Sequence, residues 1–309
     1  MDPSLKPAVR IRRGDAVGVV APSGVVEESR LRTGIAVLEE LGFRVVVGDS
    51  VRAQRAYLAG SDAERGADLQ RMLDDPGIRG VFCARGGFGS QRLLPSLDLS
   101  AMRRAPKPMV GYSDATALLA ALGATGVIGI HGPMVAADMA RGLSTRSRAH
   151  LVRVLSDPGY LWEAEAPVAI RPGRATGRLA GGCLSVLVAM LGTPWAPRLD
   201  GTILFLEDVH EWPYRLDRLL TQLRQSGALD RVAGVVFGTM EACRTLDGVC
   251  AVDVVREAFA DAPYPVALGL PAGHAVADTD VENLALPLGV RVELDADAGR
   301  VIALEAAVE

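Results

Sequence analysis

The chain has 309 residues, of which 49% are hydrophobic, 23% charged and 5% aromatic, and its formal net charge is -4 at pH 7. These values are typical of a globular enzyme with one large domain or two modest ones, and no basic stripe points to nucleic acid. Residues 1–16 lack the apolar core of a signal peptide, and no apolar run reaches the roughly 18 residues of a membrane span. We therefore expect a cytoplasmic protein without nucleic-acid or membrane partners.

The first half of the chain alternates short apolar runs with helical patterns. Strands are predicted at residues 16–21, 44–47, 80–84 and 108–111, and helices at 27–41, 61–73, 89–94, 115–122 and 145–155. Strands that alternate with helices predict a parallel sheet covered on both faces.

The second half has a different pattern. Residues 141–173 are irregular and contain several prolines, which places a domain boundary there. A glycine-rich turn at 179–182 is followed by predicted strands at 202–206 and 232–237, a helix at 214–226, and antiparallel strands within 284–304. The fold class is therefore α/β, with a Rossmann-like parallel-sheet domain over residues 1–160 and a smaller β-rich α/β domain over 161–309.

A serine follows the fourth predicted strand at a sharp turn. The apolar run ends at Gly111, Ser113 comes two residues later, and a helical pattern begins at once. This arrangement exposes a hydroxyl at the end of a sheet beside free helix N–H groups, as an acyl-transfer nucleophile requires. Ala115 occupies the place of the second glycine in the Gly-x-Ser-x-Gly elbow, which argues against an α/β-hydrolase esterase.

A serine nucleophile needs a base, and a histidine base needs a carboxylate to orient it. His274 lies in a loop with two glycines and a proline, and His210 lies in the loop after Glu207, so both are candidate bases. Glu207 ends a buried strand, where it would either line a cleft or serve as a solvated strand end. Of the other histidines, His131 is expected to be structural and His150 to lie on the surface.

An oxyanion hole needs converging backbone N–H groups. The N–H of Asp114 is one candidate, and the glycine-rich residues 85–90 could bring a second one close. The same segment is also compatible with a plain tight turn or a phosphate-binding turn, although it lacks the G-x-G-x-x-G spacing. A non-catalytic protein that binds a nucleotide or peptide therefore stays an alternative. The four cysteines have no metal-ligand spacing, so neither metal nor cofactor is predicted.

Six motifs in a fixed order resemble the LD-carboxypeptidase family of serine peptidases, which includes muramoyl-tetrapeptide carboxypeptidases and microcin C self-immunity peptidases. The motifs are residues 14–15 with 21–23, 85–89 with 92–94, 111–114, 181–184 with 191–194, 205–208 with 213–218, and 273–274 with 283 and 286–289. Cys183 departs from the family pattern, since an asparagine is expected after the two glycines.

The resemblance implies a triad in which Ser113 is the nucleophile, His274 the base and Glu207 the orienting acid. It places the oxyanion donors at the N–H groups of Gly87 and Asp114, and the site between two domains of a cytoplasmic homodimer. The implied reaction hydrolyses an L,D-peptide bond and releases D-alanine from murein tetrapeptides during cell-wall recycling. An aminoacyl-nucleotide of the microcin type is the alternative substrate.

The free carboxylate of such a substrate needs a cation or a helix N-terminus. Arg85 and Arg215 are the candidates, and the sequence does not decide between them. Trp212 would stack on a ligand or cover the start of a helix. Residues 191–195 look nearer to the murein enzymes than to the microcin peptidases.

Overall fold

Two β-sheets organise the chain in the computed structural model, which describes residues 5–243, 245–275 and 279–309. The predicted α/β fold, with a parallel sheet first and a β-rich second part, is confirmed. Within the described ranges, no helix has the length and apolar character needed to cross a membrane.

The strands are, in chain order, β1 (Ala16–Val20), β2 (Arg44–Val47), β3 (Ile78–Cys83), β4 (Met109–Gly111), β5 (Gly129–His131), β6 (Glu163–Glu165), β7 (Val168–Arg171), β8 (Arg174–Cys183), β9 (Thr202–Val209), β10 (Gly234–Glu241), β11 (Val266–Leu268), β12 (Leu286–Leu288), β13 (Arg291–Asp295) and β14 (Arg300–Ala303). The α-helices are α1 (Glu28–Glu40), α2 (Asp62–Asp74), α3 (Ser100–Arg104), α4 (Thr116–Ala124), α5 (Thr145–Ser156), α6 (Leu184–Met190), α7 (Pro213–Gln225) and α8 (Ala251–Ala258).

The first sheet has the strand order β12-β5-β4-β3-β1-β2. Strands β1 to β5 are parallel, and β12 pairs antiparallel with β5. The order reverses between β1 and β3, and in such sheets ligands bind outside the carboxyl ends of the strands at this switch point.

The second sheet has the order β6-β14-β13-β8-β9-β10-β11-β7. Its central strands β8 to β11 are parallel, and antiparallel strands flank them on both sides. Strand β9 is almost wholly buried, because helices and the first half of the chain cover its two faces.

Several short elements differ from the sequence expectation. The helix predicted at 89–94 is a 3-10 helix over Ser90–Ser96, the irregular linker contains β6 and β7, and the glycine-rich turn at 179–182 is the end of the ten-residue strand β8. These segments are short or rich in glycine, so their conformation depends on partners far away in sequence.

The two parts of the chain share one core. The larger hydrophobic cluster unites side chains of the first sheet with Ile203, Phe205 and Val236 of the second. Strand β12, from the predicted second domain, completes the edge of the first sheet. The division at residue 160 stays a prediction. A smaller cluster lies between the second sheet and helices α6 to α8.

Candidate active site

Ser113 lies just after the carboxyl end of β4, in the first sheet. Its φ angle of 59° is in the left-handed region, which is rare for a non-glycine residue and typical of a strained nucleophile turn. A 3-10 turn, Ser113–Ala115, leads directly into α4. Gly86 packs on this serine, because a Cβ at Gly86 would lie 2.7 Å from Ser113 Oγ. Only a glycine lets the loop after β3 approach the hydroxyl so closely.

Asp114 anchors the nucleophile turn. Its buried Oδ2 accepts hydrogen bonds from the Ser23 hydroxyl at 2.5 Å and the Ser90 N–H at 2.8 Å. The carboxylate therefore ties together the segments that follow β1, β3 and β4. The N–H groups of Asp114 and Gly87 stay the predicted oxyanion donors. Gly87 has a φ of 114° and lines the same cleft as Ser113.

Glu207 and His274 form a tight pair. Nδ1 of His274 lies 2.6 Å from Glu207 Oε2, and the His274 N–H donates to the same oxygen at 3.0 Å. Glu207 is fully buried on β9, whereas the His274 side chain keeps 17% of its exposure. Burial by itself would lower the pKa of His274, but the nearby carboxylates, Glu207 foremost with Asp208 and Asp138, together more than offset it and the pKa is raised. Burial likewise opposes ionisation of Glu207, yet its pKa is lowered by His274.

Gly273 allows this pair to form. Its φ is 112°, and a Cβ there would lie 2.7 Å from Cγ and Oε2 of Glu207. The Gly273 N–H donates to Asn283 Oδ1 at 3.0 Å, and the Asn283 N–H donates to Ser147 Oγ at 3.0 Å. The histidine loop is therefore held directly on the acid by backbone contacts.

The other three histidines do not line the cleft that Ser113 and His274 share. His131 is fully buried against Phe205, and burial lowers its pKa to about 4. His210 is exposed at the end of β9 and does not line the cleft. The expectation that His150 lies on the surface is wrong: it is buried, with Tyr160 Oη at 3.0 Å from Nδ1 and the Ala285 carbonyl at 2.8 Å from Nε2.

A cleft of about 510 Å³ opens above Ser113 and His274. Its lining, among the described residues, is Glu27, Arg30, Arg85, Gly86, Gly87, Tyr112, Ser113, Met134, Ala136, Ala137, Arg141 and His274. Arg85 lines the same cleft as Ser113, and its role as a substrate-binding cation stays a prediction. Trp212 and Arg215 lie at the start of α7 and do not contribute to this lining.

Two glycines of β8 bring the halves of the site together. Gly181 and Gly182 have φ angles of 132° and 141°, and a Cβ at Gly182 would lie 2.6 Å from Thr116 Oγ1. The N–H of the next residue, Cys183, donates to that hydroxyl at 3.1 Å. Since Cys183 pairs with Glu207 in the sheet, this junction couples the start of α4 to the strand that carries the acid.

Three residues around His274 have no role predicted from the sequence, and these are Tyr112, Asp138 and Arg141. The ring of Tyr112 meets the His274 ring at a centroid distance of 4.8 Å, and its hydroxyl donates to Asp138, which also pairs with Arg141. A charged residue inside the apolar run 134–139 was the available signal for Asp138. Among the described residues, no group of three or more His, Cys, Asp and Glu side chains is arranged to hold a metal ion.

Comparison with known proteins gives the family. The profile of the LD-carboxypeptidase N-terminal domain matches residues 17–132, and that of the LD-carboxypeptidase C-terminal domain matches residues 176–294. The chain is similar to the murein tetrapeptide carboxypeptidase of Pseudomonas aeruginosa, at 33% identity over 90% of this chain and 92% of that protein. It is also similar to the microcin C7 self-immunity protein of Escherichia coli, at 28% identity over 92% of this chain and 91% of that protein.

A solved structure extends the likeness to three dimensions. The crystal structure of muramoyltetrapeptide carboxypeptidase from Oxalobacter formigenes superposes with a TM-score of 0.83 at 32% identity, over 93% of this chain and 97% of that one. The two matched profiles together span well over half of the chain. The chain therefore belongs to the LD-carboxypeptidase family, and it is a serine-type carboxypeptidase.

Proposed function

We propose that this enzyme releases the C-terminal D-alanine of murein tetrapeptides by hydrolysing the L,D-peptide bond. The observation that carries the proposal is the 2.6 Å contact between His274 Nδ1 and Glu207 Oε2 beside a cleft that Ser113 also lines. Because Nδ1 of His274 is occupied by Glu207, Nε2 is the nitrogen that acts on the serine. The relatives named as murein tetrapeptide carboxypeptidases support the choice of substrate.

The reaction proceeds by acyl transfer. His274 takes the proton of Ser113 while Oγ attacks the amide carbonyl, and the N–H groups of Gly87 and Asp114 stabilise the oxyanion by about 3 kcal/mol each. The intermediate collapses, His274 gives the proton to the departing amine, and D-alanine leaves. A water molecule then attacks the acyl-enzyme by the same route and regenerates Ser113.

Glu207 orients the base and stabilises its charged form. The carboxylate accepts both the Nδ1–H and the backbone N–H of His274, so the ring is held in the tautomer that leaves Nε2 as the acceptor. The raised pKa of His274 and the lowered pKa of Glu207 agree that the ion pair is favoured. The imidazolium that forms during attack is therefore stabilised where it appears.

Arg85 is the cation that we assign to the terminal carboxylate of the substrate. Three arginines line the cleft, but Arg30 pairs with Glu27 at 3.2 Å and Arg141 pairs with Asp138 at 3.1 Å. The Arg85 guanidinium donates to the Val25 carbonyl at 2.7 Å, and no described carboxylate lies within ion-pair distance of it. Its charge is therefore available to an anionic ligand.

The two arginine candidates are separated by a matched pair of substitutions. Arg85→Leu is expected to raise KM for the tetrapeptide about 10-fold or more, because a charge-assisted hydrogen bond contributes roughly 1.5–3 kcal/mol. Arg215→Leu, on the exposed start of α7, should leave KM unchanged. The reverse result would assign the carboxylate to Arg215.

The test of the proposal is release of D-alanine from L-Ala-D-Glu-meso-diaminopimelate-D-Ala. Wild type should turn the peptide over, and Ser113→Ala should lose at least about 10³-fold in kcat. Ser226→Ala, at the carboxyl end of α7, is the control serine. Retained activity in Ser113→Ala would overturn the mechanism.

An aminoacyl-nucleotide analogue and a simple ester are assayed in parallel. Preference for the aminoacyl-nucleotide would assign the microcin-type alternative, and preference for the ester would assign the esterase alternative.

The proposal includes a cellular setting. We propose that the enzyme acts in peptidoglycan recycling, in the cytoplasm, with a small peptide as its partner. We propose a homodimer as the working form. Light scattering at micromolar protein concentration should give twice the monomer mass, and a single-chain mass would contradict the dimer.

A further inference from the structure

Asp138 lies at the centre of a buried cluster beside the base. It belongs to a π-helical turn, Val135–Met139, and its side chain is fully buried. Its Oδ2 accepts the Met134 N–H at 3.0 Å, and its Oδ1 accepts the Tyr112 hydroxyl at 3.0 Å and Arg141 Nη2 at 3.1 Å. A buried carboxylate with three donors is a rigid centre, since loss of the side chain would leave those donors unsatisfied.

Both side chains that Asp138 holds reach the histidine. The Tyr112 ring meets the imidazole of His274 edge-on, with an interplanar angle of 72°. Arg141 Nη1 donates to the carbonyl of Ala275, the residue that follows His274. Asp138 therefore connects to the ring of the base through one partner and to its backbone through the other.

The same segment holds the far end of the histidine loop. The Val281 N–H donates to the Gly142 carbonyl at 2.8 Å, and the Ser144 N–H donates to the Val281 carbonyl at 2.9 Å. The segment between β11 and β12, which carries His274, is thus bonded at Ala275 and at Val281 to the residues after Asp138. Tyr112 also directly precedes Ser113, so one network contacts the nucleophile turn and the base.

We infer that Asp138 is a positioning residue for the reaction: through Tyr112 and Arg141 it fixes the imidazole of His274 relative to Ser113. Glu207 contacts the ring of His274 at Nδ1. The Asp138 network contacts the same ring through Tyr112 and the adjoining backbone through Arg141. The inference rests on the proposed function, in which His274 is the base. A small displacement of a general base reduces the rate steeply while substrate binding is hardly affected.

The experiment measures kcat, KM and the pH profile of D-alanine release for Tyr112→Phe and Asp138→Asn. Tyr112→Phe keeps the ring but loses the bond to Asp138, so kcat should fall about 10-fold at unchanged KM. Asp138→Asn weakens both connections and should lower kcat about 100-fold. Asp138→Glu should recover part of the loss, because it restores the charge.

The matched control is Tyr160→Phe. Tyr160 also meets a histidine ring, that of His150, at 5.6 Å and places its hydroxyl on Nδ1, but it lies outside the cleft. Its substitution should leave kcat, KM and the pH profile unchanged. In a purely structural role, Asp138 would affect the free energy of unfolding, and kcat of the folded Tyr112→Phe and Asp138→Asn variants would stay at the wild-type value.

The pH profile of kcat/KM reports on the charged groups that surround the imidazole of His274. The described titratable and charged groups that face His274 are Glu207 and Asp208 on β9, Tyr112 after β4, His131 on β5, and Asp138 with Arg141 after β5. Asp138→Asn removes a negative charge near the imidazole, so the acid limb of kcat/KM should move to lower pH. Tyr112→Phe changes no charge at neutral pH, and its acid limb should stay at the wild-type position.

Labelling of Ser113 with a fluorophosphonate separates this inference from the proposed function. If wild type releases no D-alanine but is labelled, the substrate assignment fails, and slower labelling of the two variants still supports the network. Wild-type rates in folded Tyr112→Phe and Asp138→Asn, with an unmoved acid limb in Asp138→Asn, would overturn it, as would a wild type that is not labelled. If Asp138→Asn does not fold, Tyr112→Phe decides.

Discussion

His274 and His150 are both packed within the protein and both meet the edge of a tyrosine ring, yet the pKa values of their imidazoles shift in opposite directions. Burial lowers the pKa of His150 to about 4, and its ring nitrogens face a hydroxyl and a backbone carbonyl. His274 has the Glu207 carboxylate at Nδ1, and its pKa is raised. A buried histidine becomes a useful base through its ionised partner, whereas neutral hydrogen bonds keep it structural.

Glu207→Gln tests this comparison with the largest expected effect. The amide can donate to Nδ1 and hold His274 in the wrong tautomer, so kcat should fall by about 10⁴-fold, as for the corresponding change in serine proteases. KM should change little. Steady-state kinetics on the murein tetrapeptide provide the measurement.

Asp208→Asn is the matched control for Glu207→Gln. Asp208 is the next residue on β9, but its carboxylate accepts the N–H groups of Ser185 and Val209 instead of contacting the base. Its kcat should stay close to the wild-type value. Equal losses in the two variants would mean that general disruption of β9 explains the effect.

The pH dependence of stability sharpens the comparison. The pKa of His150 is about 4 in the folded protein, against an ordinary value of 6.5. Its contribution to the free energy of unfolding is therefore fully present above pH 6.5 and is lost as the pH falls towards 4. The loss amounts to about 3 kcal/mol. His274 acts oppositely: its contribution is present below pH 6.5 and is lost as the pH rises through its raised pKa.

Urea unfolding of wild type and His150→Gln between pH 4 and 7 measures this difference. The variant should show a shallower loss of unfolding free energy in that window, because it lacks a group that takes up a proton on unfolding. Identical slopes in the two proteins would show that the pKa of His150 is the same in the folded and unfolded states, which would contradict its lowered value.

Gly273→Ala probes how closely the base must approach the acid. The new Cβ would meet Glu207 Oε2 at 2.7 Å, so the loop must move and kcat should fall about 100-fold. Gly192→Ala is the control, since Gly192 has a φ of 80° with nothing within 4 Å of a Cβ. Both variants carry backbone strain, and only Gly273→Ala should lose activity.

Tyr160→Phe has the smallest expected effect. It removes the hydroxyl from His150 Nδ1, and the free energy of unfolding should fall by about 1 kcal/mol, the usual net value of a hydrogen bond. Activity should be unchanged. Thermal unfolding with parallel kinetics checks both parts, and a loss of kcat would show that the two histidine sites are coupled.

The sequence predicted much of this arrangement. The apolar run before Gly111 and the helical pattern after Ala115 predicted a strand, a turn and a helix around Ser113, and the structure has them. The sequence was less successful with β8, because Gly181 and Gly182 are typical of a turn unless their packing on β9 and α4 is known. His150 was misplaced because its burial depends on Tyr160, Trp162 and Ala285, and the last of these lies 135 positions away in the chain.

The sequence by itself determined the family, the alternation of strands and helices, and the residue types of the predicted triad, because local pattern and motif order are written along the chain. Only the tertiary structure decided that His274 lies on Glu207 and His210 does not, that Arg85 faces the cleft and Arg215 does not, and that Asp138 joins Tyr112 to the histidine loop. These relations join residues tens to more than a hundred positions apart. Their distances follow from sheet order and glycine contacts, which no local pattern records.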